Sequence, residues 1–118
     1  MRRVPVSRRF LLALSTLVVA ACATGVPEVP AGPDGQRDEV LVVGRAVYRR
    51  NCVNCHANDG GGGKGAKLKD GAVVEKYPDA ADQAAVIRNG RGQMPSFDGR
   101  LTDAEIDAVV RFTREVLG

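Results

Sequence analysis

Tryptophan is absent from this 118-residue chain, aromatic residues amount to 4%, and there is one histidine. A chain this short supports one modest domain, not two. A real excess of basic charge is also missing. The formal net charge is +3, but Arg2, Arg3, Arg8 and Arg9 fall within residues 1–21, which hold no acid. The rest of the chain has 13 basic residues against 14 acidic ones. No cationic surface is left for a nucleic acid, so that class of partner is excluded. Long apolar runs are lacking too. Phe10–Ala21 is a twelve-residue stretch, about 18 Å of helix, against a hydrocarbon core of about 30 Å. With 44% hydrophobic residues the chain is nonetheless a folding sequence, and its 14 Gly and 6 Pro mark it as loop-rich.

What stands at the N-terminus is an export signal over residues 1–21: four Arg, then the apolar stretch, then Cys22. Val19-Ala20-Ala21-Cys22 resembles the lipobox of bacterial lipoproteins, in which the Cys thiol is acylated and becomes the new N-terminus. The alternative is an ordinary cleaved signal with an incidental Cys. Residues 22–38 then read as the lipid-anchor Cys and a Pro/Gly-rich linker. Pro27, Pro30, Pro33, Gly25, Gly32 and Gly35 interrupt any helical or strand period there. Treated as a flexible coil, the linker reaches roughly 20–25 Å. The folded unit is expected at 39–118.

That unit has four aromatics, Tyr48, Tyr77, Phe97 and Phe112, a meagre core for a domain that buries little more than half of its unfolded surface. Small domains of this kind need a staple. Cys52-Val53-Asn54-Cys55-His56 supplies one. Two Cys three apart with His directly after the second is the attachment pattern for c-type haem. On a helical segment positions 52 and 55 are near neighbours, so both thiols reach the vinyl groups of one porphyrin, and His56 brings its imidazole to the iron. Two rivals share part of the pattern. A redox dithiol calls for a preceding strand, whereas the sequence here reads as helix; zinc calls for a fourth ligand, which this Cys and His inventory does not supply.

Once Met1 is removed with the signal, Met94 is the only methionine. It lies in Gly92-Gln93-Met94-Pro95-Ser96-Phe97, between a Gly-rich turn and a Pro, and so cannot belong to a packed helix face. A thioether suits low-spin iron, and with no second His an intramolecular bis-His site is excluded. Met94 is therefore expected as the sixth ligand; an open or Lys-ligated iron is the alternative.

Residues 40–118 resemble a class I, bacterial-type monohaem cytochrome c. Gly44-x-x-x-Tyr48-x-x-x-Cys52 is similar to that family's first helix, where the Gly admits the last helix and the aromatic packs between them. Asn58-Asp59-Gly60-Gly61-Gly62-Gly63 resembles the glycine-rich loop after the haem His. The family continues Gly-Pro-x-Leu, and here the residues are Gly65-Ala66-Lys67-Leu68. The resemblance implies that the backbone carbonyl at position 66 accepts from the His ring, and that Leu68 touches the haem face. It also implies haem attachment outside the cytoplasm on an unfolded chain, which makes Arg8-Arg9 plain signal charge and not a twin-arginine start.

The remaining periodicity predicts a helix capped by Asp79, with Ala84 and Ile87 on one face and Asn89-Gly90 at its end. A second follows the capping box Thr102-Asp103-Ala104-Glu105, with Ile106, Val109, Val110 and Thr113 inward and Val116 or Leu117 extending the stripe. The expected fold is all-α, a small cytochrome c fold wrapped around one haem c. The expected function is a non-enzymatic, membrane-anchored electron carrier with redox protein partners, held outside the cytoplasm on the periplasmic or outer face of the cytoplasmic membrane. A fixed haem subunit of a larger oxidoreductase and a haem-based gas or redox sensor are the alternatives. Lys64, Lys67, Lys69 and Arg91 either rim a docking surface for an acidic partner or are ordinary solvated charges.

Overall fold

The structure, a computed structural model, describes residues 24–118; the export signal and Cys22 lie outside the described residues. Five helices follow in chain order: α1 (Glu39–Asn51), α2 (Val53–His56), α3 (Ala72–Lys76), α4 (Ala80–Asn89) and α5 (Asp103–Glu115). Their ends follow from side-chain chemistry. The Asp38 carboxylate accepts from the backbone N–H groups of Val40 at 2.9 Å and Leu41 at 3.2 Å, satisfying donors that a helix start leaves open. Asp79 does the same for Ala81 at 2.8 Å. Thr102 and Glu105 exchange side-chain and backbone bonds at 3.2 and 2.9 Å, the capping box that the sequence predicts. Gly90, at φ +75°, ends α4.

The frame is the crossing of α1 and α5. Leu41, Gly44, Val47 and Tyr48 face inward from α1, and Ile106, Val109, Val110, Phe112 and Thr113 from α5. Gly44 sets how closely they approach. A Cβ there would fall on the backbone carbonyl of Ala108 and 2.8 Å from the Cβ of Phe112. The rings of Tyr48 and Phe112 meet at 5.6 Å, tilted by 46°, the geometry in which aromatic pairs attract. Tyr48 is fully buried, and its hydroxyl donates to the carbonyl of Ala57 at 2.7 Å. One side chain thus ties α1 to the chain just beyond the Cys-x-x-Cys-His motif.

Two features add to the expectations and one departs from them. The helix running into the motif is not continuous: α1 closes at Cys52, and residues 53–56 form the separate single turn α2. The short helix α3 follows Gly71, at φ +78°, and buries Val73. The third difference is the largest. The Pro/Gly-rich stretch is not a free coil over 24–38. Val29 is 1% exposed and Val26 is 8% exposed, and both join the core with Leu41, Val47, Tyr48 and Phe112. The reason is that Arg45 of α1 reaches back to satisfy backbone groups that a loop would leave to water. Its guanidinium donates to the carbonyls of Pro27 at 2.8 Å and Val26 at 2.9 Å, and Glu28 pairs with both Arg45 and Arg37. A turn at 32–36, closed by the bridge between Ala31 and Arg37, reverses the chain into α1.

Candidate functional site

The motif sits where α1 ends. Cys52 is the C-cap of α1, and its carbonyl accepts from the N–H groups of Cys55 at 3.2 Å and His56 at 3.0 Å, closing one turn. The chain then folds back over that turn. Gly62 and Gly65 donate to the carbonyls of His56 and Cys55 at 3.0 and 2.7 Å, with Gly60 and Gly62 at positive φ, where side chains are rarely tolerated. This return places the carbonyl of Ala66 2.7 Å from Nδ1 of His56. A carbonyl only accepts, so Nδ1 carries the proton and the Nε2 lone pair is left for a metal. The Ala at position 66 gives up the rigidity of Pro but keeps the carbonyl in place. Gly65 is what brings it so close: a Cβ there would lie 2.7 Å from Cε1 and 2.8 Å from Nδ1 of the ring.

A cavity of about 370 Å³ opens beside the motif. Cys52, Cys55, His56, Leu68 and Met94 all lie on its wall, so the structure brings the five candidate residues of the described chain together. The rest of the wall is largely apolar, including Val86, Ile87, Phe97 and Val109. Met94 is held by a tight turn: its N–H and carbonyl each bond to Arg91 at 3.0 Å. Gly90 lets the turn lie against the end of α4, since a Cβ there would meet the Met94 carbonyl at 2.7 Å. Ser96 then donates to the Arg88 carbonyl at 2.7 Å and Phe97 to that of Ile87 at 3.2 Å.

The donor set fits a haem with two thioether attachments. Both thiols are free, one imidazole presents an oriented Nε2, and a thioether stands on the same wall. The rivals fit less well. Burial pushes the Cys52 thiol up to about 12, and the neighbouring Cys55 adds to this, whereas a redox dithiol needs a lowered value. Among the described residues no three His, Cys, Asp or Glu side chains converge as a metal-binding group, which leaves zinc short of ligands.

Two wall residues were not singled out by sequence. Gln83 is buried and donates to the hydroxyl of buried Thr113 at 2.8 Å, a buried polar pair on a largely apolar lining. Thr113 reads in the sequence as part of the α5 stripe; nothing in the periodicity of α4 distinguishes Gln83. The proposed cationic rim changes as well. Lys67 pairs with Asp70 at 2.8 Å and Lys69 with Asp59 at 2.5 Å, while Arg91 donates to the Tyr77 hydroxyl at 2.9 Å. Lys64 lies on the cavity wall and makes no ion pair among the described residues.

Residues 40–112 match the family described as cytochrome c oxidase, cbb3-type, subunit III. Cytochrome c6 of Leptolyngbya boryana is 41% identical over 71 residues, covering 58% of this chain and 84% of the relative. Cytochrome c-551 of Bacillus subtilis is 30% identical over 103 residues, 87% of this chain and 88% of the relative. The crystal structure of cytochrome cL from Methylophaga aminisulfidivorans superposes with a TM-score of 0.60 at 26% identity, over 67% of this chain and 56% of that one.

Proposed function

Because the chain belongs to the class I monohaem c-type cytochromes, small electron carriers with one covalently attached haem c, we propose that Cys52 and Cys55 would form the two thioethers and that His56 and Met94 would ligate the iron. The observation that carries this reading is the shared cavity wall of the four side chains, with the His56 ring already oriented by Ala66. The bound haem supplies a one-electron couple. The chain's own residues do the rest. The Ala66 carbonyl fixes the tautomer and rotation of His56. Met94, a soft ligand on a braced turn, favours the reduced iron relative to a second imidazole. Leu68, Ile87 and Phe97 exclude water, and two side-chain ligands leave no position for a substrate. The role is transfer, not catalysis.

The partners in this reading are redox proteins that meet the domain through a small, transient contact. With Lys67 and Lys69 held in local ion pairs, long-range steering is weak, and recognition rests on the surface around the haem edge. Cys22 is read as the site of acylation. One acyl chain gives only marginal binding, so the two or more chains of a bacterial lipoprotein are needed to hold the carrier at the outer face of the membrane.

The direct test is the holoprotein's composition and couple. The reading expects haem mass on the peptide spanning Cys52–His56, one reversible one-electron wave, and indifference of the reduced protein to carbon monoxide. Extractable haem, or a carbon monoxide adduct, contradicts it. A second reading, a fixed subunit of a larger oxidoreductase, is favoured by the matched family's description as an oxidase subunit. Stoichiometric co-purification of other subunits in mild detergent supports it.

A further inference from the structure

The folded stretch 24–38 changes where a membrane anchor joins the domain. Extended from α1 as a coil, that stretch would leave the haem domain at the end of a roughly 20–25 Å tether. Instead it runs back along α1. Asp38 caps the first turn of the helix, Arg45 in its middle holds the Val26 and Pro27 carbonyls, and Val29 is sealed into the core. At the far end the Asn58 side-chain amide donates to the carbonyl of Thr24 at 2.9 Å. Asn58 is two residues beyond His56. The chain therefore leaves the domain beside the haem motif, at the opposite end of α1 from the one where the helix begins. Thr24 is two positions from Cys22 in the chain, no more than about 7 Å of chain.

A second observation lies at the same pole. Arg49 stands one helical turn beyond Arg45, and residues four apart share a face, so it continues the strip along which 24–30 is held. Arg49 and Arg50 are both exposed, and neither makes an ion pair among the described residues. They mark the motif end of α1 as cationic, next to the point where the chain departs.

We propose that this pole, formed by Arg49, Arg50 and the exit at Thr24, is the surface by which the domain rests on anionic lipid headgroups. The segment 24–38 acts as a strap that fixes its orientation. The proposal rests on the reading of Cys22 as acylated. It makes the carrier a close-held one: the haem motif stays within a short distance of the bilayer, and partners are met by lateral diffusion, not by the swing of a long linker.

The experiment uses the full-length holoprotein in phosphatidylcholine vesicles with and without phosphatidylglycerol. Its readout is quenching of a headgroup fluorophore by the haem. Strong quenching is expected for the natural chain. Inserting a 16-residue Gly/Ser segment between Ala23 and Thr24 leaves the domain untouched and should cut the quenching several-fold. Arg49→Gln with Arg50→Gln should reduce it only where phosphatidylglycerol is present. Intact mass separates the two claims. If no acyl mass is found, the anchor reading fails and the proposal falls with it. If the protein is acylated but its quenching is indifferent to the insertion, the anchor stands and the strapped orientation is overturned. An acylated protein whose quenching falls on insertion but ignores the Arg changes in both lipids overturns the cationic pole.

Discussion

The Nδ1 of His56 donates to the carbonyl of Ala66 across 2.7 Å, and this bond joins the Cys-x-x-Cys-His turn to the loop that folds back over it. It is made possible by Gly65, whose missing side chain is what lets the ring lie against the backbone.

Gly65→Ala should therefore weaken the hold on His56, the proposed iron ligand, without touching its bonding atom. The new Cβ would stand 2.7 Å from Cε1 of His56, so the ring must turn and its bond to Ala66 must stretch or break. Loss of such an orienting partner typically weakens metal ligation about 10–100-fold. The oxidised protein should show a high-spin fraction at neutral pH, and acid should displace His56 at a higher pH than in the natural protein. An unchanged spectrum and acid transition would show that Ala66 does not hold the ring.

Gly44→Ala tests the helix crossing. A Cβ here would lie 2.7 Å from the Ala108 carbonyl carbon and 2.8 Å from the Phe112 Cβ, and the α5 backbone at Ala108 cannot swing away as a side chain could. Overpacking of this kind costs about 1–3 kcal/mol. For a domain of this size that is on the order of a 5–20 °C fall in Tm, measured on the holoprotein. The visible spectrum should be retained, because the contact lies away from the axial ligands. A Tm equal to that of the natural protein would mean that α1 and α5 do not approach as described.

The ion pair of Asp38 with Arg111, at 3.0 Å, makes acid stability depend on one carboxylate. The Arg111 guanidinium beside Asp38, helped by the Leu41 N–H, holds its carboxyl below the usual 3.8. A depressed folded pKa gives stability that is fully present above the unfolded value and is lost as pH falls through the folded one. Asp38→Asn keeps a capping oxygen but not the charge. It should be less stable than the natural protein at neutral pH, with the gap closing below pH 3.8 as Asp38 itself protonates. A gap of constant size across that range would remove the ion pair from the account.

That Cys52, Cys55, His56 and Met94 belong together was open to a reading of short segments, and the structure places all four on one cavity wall. Cys52, Cys55 and His56 occupy one turn, and Met94 stands between a Gly turn and Pro95. The capped starts of α4 and α5 were equally open, since Asp79 and the Thr102–Glu105 pair act on the next turn. What was not legible is what depends on distant partners. Val26 and Val29 look like linker residues until Arg45, 18 and 19 residues on, takes up the carbonyls of Pro27 and Val26. One signal was present: the two Val are three apart among Pro27 and Pro30, the period of an extended polyproline turn with one buried face. The ion pairs of Lys67 and Lys69 were hidden for a related reason. Asp70 is a near neighbour of Lys67, but Asp59 meets Lys69 only because the glycine loop folds back.

The central claim is that His56 and Met94 together close the iron's coordination, and the oxidised spectrum of Met94→Ala tests it most directly. The natural holoprotein should be low-spin, with a weak sulfur-to-iron charge-transfer band at the red edge of the visible spectrum. In Met94→Ala that band should vanish, the iron should turn high-spin or take a substitute ligand, and the reduction potential should fall. If the band and the potential both survive the substitution, Met94 is only a filler of the cavity wall, and the ligation proposed here is wrong.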